Sequence, residues 1–543
     1  MLPLRYWAFA TCLLLTTLAL VGLGADRSWL WAAVLFAGLS LLGLVDLLQE
    51  PHTLRRNYPV IAHLRYFLES LGPEFRQYFI ESDNDERPFS RLQRAVVYQR
   101  AKNALDKRPF GTQLDVYADK YEWINHSIMP TLVPSHDFRV EIGSSTSQPY
   151  SASVFNISAM SFGALSANAI RALNEGARQG NFYQDTGEGS ISQYHRENGG
   201  DLVWEIGSGY FGCRDAEGRF DEASFVANAS SAQVRMIEVK LSQGAKPGHG
   251  GVLPGVKVSP EIAAARGVPV GVDCVSPARH SEFSTPIGLL QFVDRLRKLS
   301  GGKPTGFKLA IGHPWEWFAI AKAMRETGIV PDFIVVDGGE GGTGAAPLEF
   351  TDHVGVPLRE ALLLVHNTLV GLSLRPHVRL GAAGKIITAF DIARTMAMGA
   401  DWCNAARGYM FALGCIQSLS CHTDRCPTGI TTQNQARQRA LVPEDKATRV
   451  LRFHENTLMA LRELIAAAGL DHPGQLGPEH IIRRISSTKV ASLSMLMPFI
   501  EPGALLDGKL PDHPVFQAFW AEARSESFAA PARAMAMRST KLR

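Results

Sequence analysis

Two unbroken apolar stretches, residues 6–25 and 28–45, open the chain and are separated only by Asp26 and Arg27. At about 1.5 Å per residue each is long enough to cross a bilayer core of about 30 Å. A buried hairpin is one competing reading, but interior helices seldom stay free of charge for so long. A cleaved signal peptide ending near Leu23-Gly24-Ala25 is another, and the second apolar run directly behind it argues against cleavage. Arg5 precedes the first stretch, Arg55, Arg56 and Arg65 follow the second, and the turn between them holds one Arg. The positive-inside bias therefore places both flanks in the cytoplasm, with membrane lipid as a partner. Residues 64–69 predict either an interfacial helix or a solvated amphipathic one.

Residues 51–133 read as helical and charged, richest in Arg and Lys over 91–107, and carry no legible chemistry. From residue 154 short apolar runs alternate with helical stretches. The runs are 154–160, 235–239, 268–274, 306–310, 333–337, 378–382 and 402–406, with an eighth near 180–185. That rhythm predicts parallel βα units. Polar and glycine-rich motifs follow the strand ends, which favours an α/β fold of the (β/α)8 TIM-barrel type over a doubly wound sheet. The expected organisation is two transmembrane helices over 1–50, a helical connector over 51–150, the barrel over 151–440, and a helical extension and tail over 441–543. The tail from Ala529 is small, basic and aperiodic, which predicts disorder.

Composition changes this picture little. A net charge of +3, with 20% charged and 46% hydrophobic residues, gives no bias toward nucleic acid. The cysteines matter more, since three of the seven fall within twelve residues. Such clustering argues for a reducing compartment and a local thiolate site rather than a disulfide framework.

Cys415, Cys421 and Cys426 form C-x5-C-x4-C followed by Pro427. A cysteine run ending in Cys-Pro is typical of iron-sulfur ligation, and three thiolates suit a [3Fe-4S] cluster. Zinc would want a fourth ligand, for which His422, adjacent to Cys421, is badly spaced. A second constellation is Gly338-Gly339-Glu340-Gly341-Gly342-Thr343-Gly344, directly after an apolar strand. Its amides suit a phosphate, together with Gly381 and Gly384 on the next unit and Ala406 and Arg407 on the last. The match Gly207-Ser208-Gly209-Tyr210-Phe211-Gly212 to a dinucleotide fingerprint is a decoy, because no apolar helix follows it. Met160, Ser161 and Gly163 end the first strand before a helix capped by Ser166. Lys308 stands inside the apolar run 306–310, where a lysine is costly to bury unless it meets an anion or a reduced flavin.

Residues 160–166, 186–189, 240–251, 307–309, 338–347 and 415–429 resemble, in the same order, the FMN-binding synthase domain of glutamate synthase. The resemblance covers roughly 151–440. It implies FMN at the strand ends, 2-oxoglutarate over the flavin and a [3Fe-4S] cluster on the three cysteines. It also implies ammonia or an amine as nitrogen source, reduction of the imine to L-glutamate, and an electron donor such as ferredoxin or a reductase subunit. On the same resemblance Lys308 would stabilise reduced FMN, Glu238 and Gln243 would line the site, and Lys246 would take a substrate carboxylate. Met160, Ser161, Gly163, Gln243, Gly338, Gly341, Gly342, Thr343, Gly381, Gly384, Ala406 and Arg407 would hold the cofactor.

Three departures qualify the resemblance. The chain opens Met1-Leu2-Pro3 and enters the apolar stretches without a glutaminase region, so a separate amidotransferase or free ammonia would supply nitrogen. His249 stands where the family commonly has Glu, and Asp424 where it commonly has Asn. Two other functions compete with glutamate formation: an FMN barrel acting on another substrate, including an alkylamine to give an N-alkylglutamate, and a membrane electron carrier or redox sensor without turnover. Lys308, Glu238 and Gln243 favour an enzyme, since a carrier needs none of them. An inosinate dehydrogenase-like barrel is the rival at the level of fold, opposed by the three cysteines.

Overall fold

The structure, a computed structural model, describes residues 3–84, 87–508 and 510–531. The chain divides into two compact units, Met1–Arg91 and Leu92–Arg543.

In the first unit α1 (Trp7–Ala25) and α2 (Leu30–Leu48) form a hairpin. Asp26 caps its turn by accepting from the Ser28 amide at 3.1 Å. Thr16 and Ser40 share a hydroxyl hydrogen bond of 2.9 Å between the helices, and the small residues Ala19, Ala33 and Gly43 are buried. Both helices are long and apolar enough to cross a membrane, and only 11% and 22% of their apolar windows are buried. That exposure is far from the burial expected of a core hairpin. After one short helical turn, Thr53–Asn57, the helix α3 (Ala62–Phe75) continues into a π-helical turn, Arg76–Ile80.

The second unit is built on eight parallel strands: β1 (Phe155–Ile157), β2 (Gln184–Asp185), β3 (Leu202–Ile206), β4 (Val234–Lys240), β5 (Thr305–Leu309), β6 (Phe333–Asp337), β7 (Arg379–Ala383) and β8 (Trp402–Ala405). They pair in chain order and close, β8 against β1, into the expected barrel. Around it lie α4 (Ala167–Gln179), α5 (Glu222–Ala229), α6 (Pro286–Leu299), α7 (Pro314–Thr327), α8 (Leu358–Gly371), α9 (Ala389–Ala397) and α10 (Pro443–Ala467). Caps set their starts. Ser166 accepts from the Ala169 amide, and Thr388 forms a capping box with Asp391.

The amino-terminal mouth of the barrel is sealed by a hairpin, Arg139–Ile142 paired with Tyr150–Ser153. Its Ile142, Tyr150 and Ala152 share one buried cluster with Tyr183, Phe333 and Trp402 at the strand starts. The opposite mouth, at the strand ends, carries the motifs.

Four expectations need correction. Residues 268–274 are no barrel strand: helix Pro260–Arg266 ends at Gly267 with φ +64°, and Cys274–Val275 pairs with Val252–Leu253 in an insert between β4 and β5. The overlooked strand is Leu202–Ile206, whose alternation is hidden because both its faces are buried. The stretch 51–150 is helical only as far as Ala101; beyond that it is mostly turns and irregular chain, in which Glu122–Ile124 pairs with Ile481–Arg484. The helix expected to open a C-terminal extension, α10, instead packs between α4 and α9, closing the helical ring after β8. Only 529–531 of the tail expected from Ala529 lie within the described residues.

Candidate active site

The glycine-rich loop leaves β6 through Asp337, whose carboxylate accepts from the Gly244 amide at 2.8 Å. Its first amides are used internally: Gly338 donates to Ala383 O at 2.8 Å, Gly339 to Val356 O at 2.9 Å and Gly341 to Gly338 O at 2.9 Å. Among the described residues no hydrogen bond takes the amides of Gly342, Thr343 and Gly344, which lie exposed. Arg407, at the end of β8, donates to Glu340 O at 2.7 Å, and a Cβ on Gly342 would stand 2.7 Å from its guanidinium. A side chain there would have to push the end of Arg407 aside. Burial brings the Arg407 pKa down to about 10, against the pull of Asp337 and Glu340. Gly381 lies in β7 against the Trp402 ring, while Gly384 and Ala406 follow β7 and β8 on the same mouth.

Met160, Ser161 and Gly163 lie on the loop after β1. Arg266 of the insert holds that loop, donating to Phe162 O at 2.9 Å and to the Ser161 hydroxyl at 3.4 Å. Gln433 donates to Gly163 O at 3.0 Å, which ties the loop to the segment beyond the cysteines.

A charged group occupies the mouth between these loops. Lys240, the last residue of β4, pairs with Glu188 at 3.0 Å, and buried Lys246 donates to Ala345 O at 3.2 Å. Burial would raise the Glu188 pKa, but Lys240, with Arg266 and Lys246 beyond it, holds the carboxyl below its usual range. Burial depresses Lys246, Lys240 adds to the depression, and Glu188 opposes it. Three cations around one carboxylate make this cluster positive, beside the acids Asp337 and Glu340 of the glycine-rich loop. Gln243 is half-buried on the same β4 loop, and its carbonyl accepts from the Lys246 amide at 3.3 Å.

Lys308 and Glu238 lie deeper. Lys308, 3% exposed, sends its ammonium to Glu205, to Glu238 at 3.1 Å and toward Asp185 at 4.0 Å. Burial would lower the Lys308 pKa, yet Glu205, Glu238 and Asp185 together hold it well above the usual value. Burial lifts Asp185 to about 7 and Glu238 well above the usual carboxylate range. The three carboxylates converge within 4.8 Å, but the Lys308 ammonium stands among them where a metal ion would otherwise sit.

The cysteine loop follows the helix Arg407–Leu413, which ends at Gly414 with φ +108°. Burial pushes Cys415 up to about 12, and Cys421 and Cys426 add to the shift, so the three thiols share one neighbourhood. For Cys426 burial is outweighed by hydrogen bonds from Thr428 and Thr431, which bring its pKa below the usual thiol value. Tyr98 donates to Cys415 O at 2.6 Å. Lys257, buried in the insert, donates to Cys421 O and to Thr431 O, both at 2.7 Å. Asp424 accepts from the Gln433 amide at 2.7 Å. His249 is exposed on the β4 loop, edge-on to Phe350 at 5.5 Å.

The mouth thus gathers the phosphate-type loops, Lys246, Gln243 and the cysteine loop, whereas Lys308, in register with Lys240, and Glu238 turn into the buried barrel interior. Sequence reasoning missed Glu188, Lys240 and Arg266 as a charged group, the interior acids Asp185 and Glu205, and Lys257. Glu188 and Lys240 lay inside quoted motifs, but Lys257 carried no signal at all.

A closed parallel barrel with open amides and a cationic cluster at its strand ends defines the chain as an α/β-barrel enzyme. A profile of the conserved region in glutamate synthase matches residues 122–471, and the chain belongs to the glutamate synthase family. It is 36% identical over 506 residues to the glutamate synthase large subunit-like protein YerD of Bacillus subtilis, covering 86% of this chain and 95% of that one. It is 34% identical over 316 residues to the archaeal glutamate synthase [NADPH] of Methanocaldococcus jannaschii, covering 58% of this chain and 59% of the relative. An archaeal-type glutamate synthase [NADPH] of Thermotoga maritima is also 34% identical, again over 58% and 59% of the two chains.

Proposed function

We propose that this chain is a membrane-anchored oxidoreductase that reduces the imine of 2-oxoglutarate, giving L-glutamate from the ammonia-derived 2-iminoglutarate and an N-alkylglutamate where an alkylamine takes the place of ammonia. The observation that carries the reading is the cationic cluster at the mouth, where Lys240, Lys246 and Arg266 surround Glu188 beside the open amides of the glycine loop.

The residues fit FMN and a [3Fe-4S] cluster. The amides of Gly342, Thr343 and Gly344 are open to a phosphate, and Arg407 adds a guanidinium beside them. Three thiols in one loop, with a buried ammonium alongside, suit anionic thiolates. When bound, FMN supplies the hydride chemistry and the cluster single electrons from a donor such as ferredoxin or a reductase subunit.

The protein's own groups do the rest. Lys246 and Lys240 bind the two carboxylates of the substrate, and Glu188 keeps the lysines apart and oriented until it arrives. Arg266 fixes the β1 loop, and with it Met160, Ser161 and Gly163. Gln243 lines the mouth. Lys308 acts from beneath, its field stabilising negative charge that develops above it, as a fixed ammonium in a low-dielectric interior does. Glu205 and Glu238 hold that ammonium in place.

His249 supports a second substrate. Its ring and Phe350 present an aromatic edge at the mouth, which favours an amine bearing a carbon substituent over bare ammonia.

The two apolar helices cross the membrane, with the catalytic unit on the cytoplasmic side, where Arg55, Arg56 and Arg65 follow the hairpin. The deciding experiment is anaerobic reoxidation of the reduced flavin by 2-oxoglutarate with ammonia, methylamine or glutamine. Reoxidation that needs both 2-oxoglutarate and an amine supports the reading; none with any of the three overturns it.

A further inference from the structure

The amphipathic helix α3 leaves its apolar stripe uncovered. Over α3 and the π-helical turn that extends it, apolar residues recur at 64, 67, 68, 71 and 75, the spacing that sets one face of a helix. A globular protein buries such a face. Here Leu64, Phe67, Leu68 and Phe75 are exposed, and Phe79, one turn further on, is 80% exposed. The other face is polar, with Arg65 and Glu69 paired at 2.7 Å and Ser70 beside them.

A second observation says what covers the stripe. Asp46, a buried carboxylate in the last turn of α2, is bonded to the ring of His63 at 2.9 Å and accepts from the Val60 amide at 3.0 Å. His63 is the second residue of α3. The end of the apolar hairpin and the start of the amphipathic helix are therefore clamped together, and Arg55 and Arg56 lie between them in sequence. A helix that starts where a membrane span ends, with basic residues at its root and an open apolar stripe, has the makings of an interfacial helix on anionic lipid.

Resting on the reading of α1 and α2 as membrane spans, we propose that residues 62–80 lie in the bilayer surface as a third lipid-contacting element, with Leu64, Phe67, Leu68, Phe75 and Phe79 among the acyl chains. The Asp46–His63 clamp sets the depth at which the helix enters. The occupant is lipid rather than a second copy of the chain, because the clamp holds the stripe at the level where the span emerges.

The test uses the full-length protein in nanodiscs of phosphatidylethanolamine and phosphatidylglycerol containing a lipid with a photoactivatable diazirine in its acyl chain. Labelled residues are located by peptide mass spectrometry. The expected result is labelling of α1, α2 and, within 62–80, of Phe67, Leu68 and Phe75 but not of Arg65, Glu69 or Ser70. A Phe67→Asp/Phe75→Asp variant should lose the label on 62–80 and keep it on the spans. If the spans are labelled and 62–80 is not, the inference falls and the membrane reading stands. If neither is labelled, the membrane reading falls with it. Equal labelling of both faces of 62–80 also overturns the interfacial placement.

Discussion

Gly344 of the glycine-rich loop and Cys421 of the cysteine loop meet at van der Waals range, since a Cβ on Gly344 would stand 3.1 Å from that of Cys421. The loop proposed to hold the flavin phosphate and the loop proposed to hold the cluster therefore share a wall. A branched side chain at 344 has to displace the cysteine. Gly344→Val should lower iron per chain by half or more, and Cys421→Ser should abolish the cluster, while both keep most of the flavin. Iron and flavin assays on anaerobically purified protein measure this, and zinc in place of iron would rule out the cluster.

Lys257 is a buried cation beside the cysteine loop. Removing its ammonium strands the buried Thr431 O, at about 1–3 kcal/mol, and the part-buried Cys421 O at less. Lys257→Met should therefore loosen the loop. It should also make the cluster harder to reduce, because a positive charge beside the thiolates is lost. Potentiometric titration followed by electron paramagnetic resonance gives the shift, and an unchanged potential would leave Lys257 a purely structural prop.

Such residues explain what the amino-acid pattern reveals and what it hides. Strands that end in glycine motifs, such as Phe333–Asp337, are legible because local composition changes abruptly at the mouth. Leu202–Ile206 is not, because Glu205 interrupts its apolar run and only the folded barrel supplies the Lys308 that makes burial of Glu205 tolerable. Residues 268–274 mislead in the opposite way, being apolar but sitting in a turn that exposes Val270 and Val272. The cysteine spacing is local and so visible. Lys257 reaches Cys421 across 164 positions, and an isolated lysine ordinarily signals a solvated surface.

Asp185 offers a test by pH. Burial raises its pKa from 3.8 to about 7. The folded state therefore holds this proton more tightly than the unfolded chain does, and the associated stability, complete below about pH 4, is lost as pH rises through about 7. Asp185→Asn imitates the protonated form at every pH. Its melting temperature should match wild type near pH 4 and rise above it progressively by pH 8. A constant difference across that range would mean that Asp185 does not titrate inside the barrel.

The exposed stripe of α3 changes the expected result of truncation. A chain beginning at Phe89 keeps the helix Arg91–Ala101 and the whole second unit, and should be soluble and flavin-bound. A chain beginning at Pro51 keeps the stripe and should still float with phosphatidylglycerol vesicles. Flotation of the shorter chain would place lipid contact in the second unit instead.

The last prediction concerns Lys308, whose ammonium is shared among Glu205, Glu238 and Asp185. Two effects have to be separated. Removing one member of a buried ion pair leaves an uncompensated charge and typically costs about 3–5 kcal/mol, so Lys308→Met alone should be markedly less stable. That loss says nothing about chemistry. Adding Glu205→Gln removes the stranded charge, and the double variant Lys308→Met/Glu205→Gln should regain most of the melting temperature. If Lys308 serves only to balance the interior acids, the double variant will also regain the flavin potential and the imine-reducing rate. If its field stabilises charge arriving in the mouth, the flavin potential should stay low and the rate should stay down by roughly one to two orders of magnitude, at about 1.36 kcal/mol per tenfold. Restored stability with a depressed potential is the expected result. Recovery of both would confine Lys308 to the architecture of the barrel and leave Lys240 and Lys246 to carry the electrostatics of the site.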